Sequence, residues 1–236
     1  KKINELIQKE IKQDTKDFGD DRRTTLNESA ITSQALDQTQ LASSDPVTIV
    51  LSKAGWVRAA KGTLDDPHSL NYKSGDDYLS SVPGRSNQFA VFIDSTGRVY
   101  SIVADTLPSA RSNGEPLSSR LNPPDGAYFA GVISGDPGQH WLLSSSAGYG
   151  FLVKLEDLYT KNRKGKTCLS VKGSEVLIPS NATSVGYPEE TYIAAANSAG
   201  KLLIFKSNEL MEMSKGKGLK IIGINSKKFK EGKEKM

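Results

Sequence analysis

The chain has 236 residues, 36% apolar and 25% charged, with a net charge of +4. That balance excludes a disordered polar tail and supports a folded core. The apolar run Leu202–Phe205 is far short of the roughly 20 residues a membrane-spanning helix needs, and a lone cysteine, Cys168, excludes an intrachain disulfide or a Cys-based zinc site.

Charge is uneven along the chain. Residues 1–45 carry 7 basic and 9 acidic side chains, residues 46–200 carry 14 of each, and residues 201–236 carry 10 basic against 4 acidic. Clustered cations suit an acidic partner, most commonly nucleic acid; a Lys-rich solubilising end is the plain alternative. The last stretch, SKKFKEGKEKM, reads as a polar tail. The sequence opens Lys1-Lys2-Ile3-Asn4, without Met and without the apolar core of a secretory signal, so a fragment of a longer intracellular protein is expected.

Ile3, Leu6, Ile7 and Ile11 fall on one face of a predicted helix whose pattern stops by Asp14. Phe18–Thr25 reads as a compact charged turn. Residues 27–46 lack aromatics and are rich in Ser, Thr, Gln and Asp, which predicts a linker with a short helix around Ala35–Leu41.

From Val47 the period changes to two and the chain repeats itself. Four segments set a small-residue turn between apolar runs: VTIVLSKAGWVRAAK, FAVFIDSTGRVYSIV, HWLLSSSAGYGFLVK and YIAAANSAGKLLIFK. Their turn glycines, Gly55, Gly97, Gly148 and Gly200, stand 42, 51 and 52 residues apart. In three units a leucine follows ten residues later (Leu107, Leu158, Leu210), then a second polar Gly turn (Asn113-Gly114, Lys164-Gly165, Lys215-Gly216). A third strand is predicted after each, at Pro116–Leu121, Thr167–Val171 and Leu219–Ile224. The first unit departs from this scheme. Repeats of about 40–50 residues holding short strands predict a propeller-like array; a β-sandwich with similar hairpins is the competing fold.

Catalytic constellations are scarce. His68 and His140 have no nucleophile motif nearby, and the acidic pairs Asp65-Asp66, Asp76-Asp77 and Glu189-Glu190 sit beside Pro or Gly, where turn chemistry accounts for them. Arg163–Thr167 resembles the end of a phosphate-binding P-loop, but Thr160 stands where that motif needs Gly. Trp56 and Trp141 are expected in the core. The loops around the second glycines are different, because they alternate Gly with cations: Lys161, Arg163, Lys164 and Lys166 in the third unit, Lys215, Lys217 and Lys220 in the fourth, and Arg111 with Arg120 in the second. Such loops let backbone N–H groups and charged heads approach phosphates, and on a repeat they form a band along which DNA bends. Lys73 and Arg85 are the corresponding candidates in the first unit. A single such loop can equally be a solvated turn.

Phe18-Gly19-Asp20-Asp21-Arg22-Arg23-Thr24 resembles the FGD-x-RRT signature that follows the coiled coil in A subunits of bacterial type IIA topoisomerases. The preceding helix is similar to the end of that coiled coil. VTIVLSKAGWVRAAKG, LNYKSGD, VFIDSTGR, LPSARSNGEPL, SAGYGF and SKGKG together resemble the C-terminal β-pinwheel of the topoisomerase IV branch. The gyrase Q-[RK]-R-G-G-[KR]-G box is not matched, which favours topoisomerase IV and argues against full DNA wrapping.

The resemblance implies an all-β pinwheel of about four to five blades behind a short N-terminal helix. It implies boundaries at 1–24 (end of the coiled-coil region), 25–46 (linker) and 47–236 (pinwheel), and blades that exchange strands with their neighbours. It further implies duplex DNA as partner, with the B subunit of topoisomerase IV and a second copy of the A subunit in the whole enzyme, and a cytoplasmic, chromosome-associated location. The isolated domain is expected to be monomeric and non-catalytic, since no tyrosine matches the family's catalytic motif, and to hold no cofactor; ATP and Mg²⁺ are used elsewhere in that enzyme. The rival reading is an interaction propeller for a peptide or a chromosome-organising protein.

Overall fold

The computed structural model describes residues 2–20, 44–182 and 191–236, and the chain divides into two compact units, 1–37 and 38–236. In the first unit, α1 (Lys2–Phe18) carries Ile3, Leu6, Ile7 and Ile11, all exposed. It runs past the predicted stop at Asp14 because local bonds extend it: Gln13 Nε2 donates to Asp17 Oδ2 (2.8 Å) and Gly19 N to Thr15 O (3.0 Å). Residues 21–25 of the charged turn, residues 25–43 of the predicted linker, the helix predicted at Ala35–Leu41 and the pair Glu189-Glu190 lie outside the described residues.

In the second unit each repeat supplies one antiparallel hairpin. These are β1 (Pro46–Ser52) with β2 (Trp56–Lys61), then β4 (Phe89–Asp94) with β5 (Arg98–Val103). The last two are β8 (His140–Ser145) with β9 (Tyr149–Lys154), and β12 (Tyr192–Ala196) with β13 (Leu202–Lys206). Their turn glycines take φ between 78° and 80°, a left-handed conformation in which a Cβ would crowd the backbone. Longer outer strands β3 (Tyr78–Arg85) and β7 (Phe129–Ile133), and the short β11 (Ser180–Asn181), pair with β1, β4 and β8.

The third strands are shorter than expected, and they are exchanged between neighbouring blades as the resemblance implies. They are two-residue segments, β6 (Glu115–Pro116), β10 (Lys166–Thr167) and β14 (Leu219–Lys220), and each leaves its own unit to pair with the hairpin before it. The sheets therefore run β3-β1-β2-β6, β7-β4-β5-β10 and β11-β8-β9-β14, each completed by a strand from the next repeat. Register is repeated too: Leu117 N, Cys168 N and Ile221 N donate to the carbonyls of Gly55, Gly97 and Gly148 at 2.8–2.9 Å. Among the described residues the fourth sheet holds only β12 and β13.

Neighbouring blades cover one another's faces in the first three blades, where the hairpin strands are largely buried and β4 has five consecutive buried residues, Ala90–Asp94. In the fourth, β12 alternates buried with exposed residues and β13 leaves Leu202, Leu203 and Ile204 exposed. One core cluster joins the first three blades around Phe92, Tyr100, Phe129, Leu143 and Phe151. A second, around Leu152, Ile193, Leu210, Ile221 and Ile222, joins the third blade to the fourth. The recurring leucines Leu107, Leu158 and Leu210 are buried pegs in these clusters, each at the end of a one-turn 3-10 helix.

The polar tail expected from Ser226 to Met236 is overturned. Residues Ser226–Lys230 form a helix, α2, capped by Asn225 Oδ1, which accepts from Lys227 N and Lys228 N (3.0 and 3.2 Å). The rest is tied down. Glu234 is buried and accepts from Asn197 Nδ2 (2.8 Å), Ser198 N donates to Lys235 O (2.8 Å), and Met236 N to Ser146 O (2.9 Å).

Candidate nucleic-acid interface

The cationic loops are docked alike on the preceding blade. Four residues beyond each turn glycine stands an anchor: Ala59, Ser101 or Leu152. Ala59 N donates to Pro108 O (2.8 Å) and Ala110 N to Ala59 O (3.0 Å). Leu152 N donates to Met211 O (3.1 Å) and Met213 N to Leu152 O (2.8 Å), while Thr160 N reaches Ser101 Oγ (3.1 Å). Each loop then turns outward and returns through its second glycine. Gly114, Gly165 and, in the fourth unit, Gly218 rather than the expected Gly216 all have positive φ and stand three residues before the residue that bonds the turn glycine. A Cβ on each would strike the hairpin beneath, at Val57 O, Tyr100 and Gly150 O respectively. Glycine is thus required where each loop presses onto its neighbour.

At the junction of the second and third blades, Arg120, Lys161 and Arg163 line one cavity of about 250 Å³ with Ser101 and Asn162. The loop is hydrogen-bonded along its length. Asn162 Oδ1 accepts from Lys164 N (2.9 Å), Asn122 N donates to Arg163 O (2.8 Å), Arg98 Nη1 to Lys164 O (3.1 Å), and Lys166 Nζ to Asp157 O (2.5 Å). Arg120 is also ion-paired with Glu115. At the next junction Lys217 and Lys220 line a cavity of about 380 Å³, and the Lys217 ammonium stands 3.5 Å from the centre of the Tyr149 ring. Lys215 is exposed beside them. The loop's base is fixed by Glu212, 2.8 Å from His140 Nε2 and 3.1 Å from Lys154 Nζ; the His140 bond first and Lys154 second hold its carboxyl below the usual carboxylate range. His140 is therefore accounted for by pairing at a blade junction.

On the first blade Arg111 lines a groove with Lys61 and Ala110, and Lys73 places its ammonium 3.4 Å from the Trp56 ring centre. Trp56 is only half buried, against the expectation of core packing, whereas Trp141 is buried. The candidates fall in separate groups, at the junctions and on the first blade, and Arg85 shares its cavities with none of the others. It bonds Ser44 O (3.1 Å), and its neighbours around the adjoining cavities include Gln88 and Asp136.

Arg58 was not singled out by the sequence. It is 3% exposed, with its guanidinium 4.6 Å from the Tyr72 ring centre and Nη1 donating to Asn71 O (2.8 Å) and Ser112 O (3.2 Å). It ties the Lys73 loop to the Arg111 loop. Nη2 is buried with no hydrogen-bond partner among the described residues, and no described carboxylate pairs with it. An inward arginine on a β-strand carries no sequence signal beyond breaking the apolar alternation. Burial raises the Tyr72 phenol's pKa, offset in part by Arg58.

Hairpin sheets completed by strands from the following repeat, with cation-bearing loops at each junction, define a propeller-like β-pinwheel. Residues 139–178 and 191–236 match the family model of the DNA gyrase C-terminal domain, beta-propeller. The chain is 49% identical over 224 residues to the A subunit of DNA topoisomerase 4 from Pseudomonas aeruginosa, covering 94% of this chain and 29% of that protein. It is 42% identical over 238 residues to the Haemophilus influenzae counterpart, covering 99% and 31%. The solved E. coli ParC C-terminal domain superposes with a TM-score of 0.71 at 43% identity, over 81% of this chain and 77% of that one. A further solved topoisomerase IV C-terminal domain, at 14% identity and a TM-score of 0.63, shares the fold over 82% of this chain and 60% of that one. The chain belongs to the family of C-terminal domains of topoisomerase IV A subunits, and it spans less than a third of the length of the curated relatives it matches.

Proposed function

We propose that this domain binds duplex DNA on the loops at its blade junctions and bends it along them, so setting which DNA segments topoisomerase IV relaxes and decatenates. In the whole enzyme it would work with the B subunit and a second copy of the A subunit, and in the cytoplasm on the chromosome. The chain itself supplies geometry. The chemistry, with ATP and Mg²⁺, would belong to other parts of that enzyme.

One observation carries the reading: loops bearing cations in three successive units are docked at the same register on the blade before. Loops fixed in this way would present their lysines and arginines at matching places without a backbone ordering cost at each contact. Contacts of this kind go to phosphates, so binding is expected to show little sequence preference.

The test is a gel-shift titration of a duplex across about 50 to 200 mM salt, where log affinity should fall against log salt with a slope of about 0.9 for each phosphate contacted. An affinity that does not change with salt, or a preference of orders of magnitude for one sequence, would sink the reading and favour an interaction propeller.

A further inference from the structure

The cavity between the third and fourth blades holds more cations than the repeat supplies. Lys217 and Lys220 come from β14 and the turn before it, Lys172 from the chain after β10, and Lys230 from α2. Three separate segments therefore line one cavity of about 380 Å³ with four lysines, the Lys217 ammonium lying over the Tyr149 ring, and no carboxylate lines it. Its walls are Tyr149, Ile224 and Phe229. None of the four lysines is ion-paired with a described residue, whereas Lys233 and Lys235 nearby are paired with Glu231 and Glu175.

Like charges gathered at one cavity repel, and a segment free to move would relieve that repulsion. Here it is not free. α2 is capped by Asn225, and the chain after it is held by Glu234 on Asn197 and by Met236 on Ser146. Lysine ammoniums are compact point charges that each offer three donors, suited to tetrahedral oxyanions. One carboxylate could engage one or two of them. A phosphate-class ligand with several negative charges matches the charge of all four.

We infer that this cavity is an anion site for a phosphate ligand carrying several charges, and that α2 forms its wall through Lys230 and Phe229. Successive phosphates of a DNA backbone and a free polyphosphate present the same chemistry. The inference rests on the proposed DNA-binding function only for the first of these sources.

The experiment is calorimetric titration of the chain with sodium tripolyphosphate at about 20 mM salt, where screening is weak, with amide shift mapping by NMR. Saturable binding at one site is expected, with shifts centred on Tyr149, Lys217–Lys220 and Phe229. Lys217→Gln, Lys220→Gln and Lys230→Gln together should weaken it about tenfold or more. Lys12→Gln, Lys16→Gln and Lys201→Gln together remove the same charge elsewhere and should leave it within about twofold. All six side chains are exposed, and unchanged melting would show that both variants fold. Absence of binding at millimolar ligand, equal weakening in the two variants, or equally tight binding of poly-glutamate would overturn the inference. Release of tripolyphosphate by a short duplex identifies backbone phosphates as the source, and simultaneous binding identifies a free polyphosphate. A gel shift on the same samples separates the two proposals. DNA bound without tripolyphosphate sinks the cavity alone, and tripolyphosphate bound without DNA sinks the DNA-binding function alone.

Discussion

Gly97 and Gly200 occupy the same place in their repeats, with φ of 79° and 80°, yet differ in what faces them. A Cβ on Gly97 would overlap the Leu169 carbonyl, the backbone arriving from the next unit; a Cβ on Gly200 meets nothing within 4 Å. Gly→Ala at either site costs about 1–2 kcal/mol for the left-handed conformation. At Gly97 the entering segment must also be displaced. That strains or breaks the Cys168 N and Leu169 N bonds to Gly97 O (2.9 and 3.0 Å), worth about 1 kcal/mol each. Crowding a packed junction adds about 1–3 kcal/mol. Gly97→Ala should therefore cost about 4–7 kcal/mol in all, the sum of these contributions. At about 3 °C per kcal/mol for a domain of this size, melting should fall by more than about 10 °C, against about 3–6 °C for Gly200→Ala. Urea and thermal unfolding followed by circular dichroism measure both. If the two variants agree within about 1 kcal/mol, above the scatter of such measurements, the exchanged strand is not what holds this junction.

Arg58→Met keeps the bulk but strands the carbonyls of Asn71 and Ser112. It should cost about 2–4 kcal/mol in urea unfolding and speed proteolysis of the loops at 71–73 and 109–114; an unchanged midpoint would remove Arg58 as their tie. Reversal of Lys161, Arg163 and Lys164 to Glu should flatten the salt slope of duplex binding by about 0.9 for each phosphate no longer engaged. The same reversal of Lys9, Lys12 and Lys16 in α1 should leave the slope in place, and equal flattening would mean diffuse attraction. Cys168 is 1% exposed, and burial pushes its thiol up to about 12. A thiol-reactive dye at pH 8 should label it only after unfolding. Because its folded pKa lies above the ordinary 9.0, the unfolded chain loses the proton first, so the stability it contributes is present below pH 9 and lost as pH rises toward 12. Rapid labelling of the folded chain would refute its burial.

The repeat was legible because it is written in backbone requirements. Turn glycines at positive φ and leucines that peg the core recur at fixed spacing whatever the intervening loops do. Strand exchange left no such trace in the residues themselves. Glu115–Pro116, Lys166–Thr167 and Leu219–Lys220 read equally well as third strands of their own units, and only the family resemblance pointed to their true partners. The decisive signal is a glycine whose need arises in another blade, as at Gly114 under Val57. Cation-bearing loops were readable from composition. Arg85 was grouped with them on residue type alone, and the structure sets it among Gln88, Asp136 and Ser44.

The chain after Asn225 was misread for a physical reason that bears on function. Its composition, seven of eleven residues Lys or Glu, resembles a solvated end. What orders it is not composition but three placed contacts: the Asn225 cap, buried Glu234 on Asn197, and Met236 against the core of the last two blades. A lysine on a loose end attracts any polyanion weakly and pays an ordering cost on each contact. For a lysine on a pinned helix, folding has already met the backbone share of that cost. Lys230 therefore belongs energetically with Lys217 and Lys220, although it lies outside the repeat that places them. The last blade thus draws its charge from two sources, one dictated by the repeat and one by a segment with no counterpart in the repeat scheme, so the anion site proposed there need not work in the way proposed for the loops at the earlier junctions.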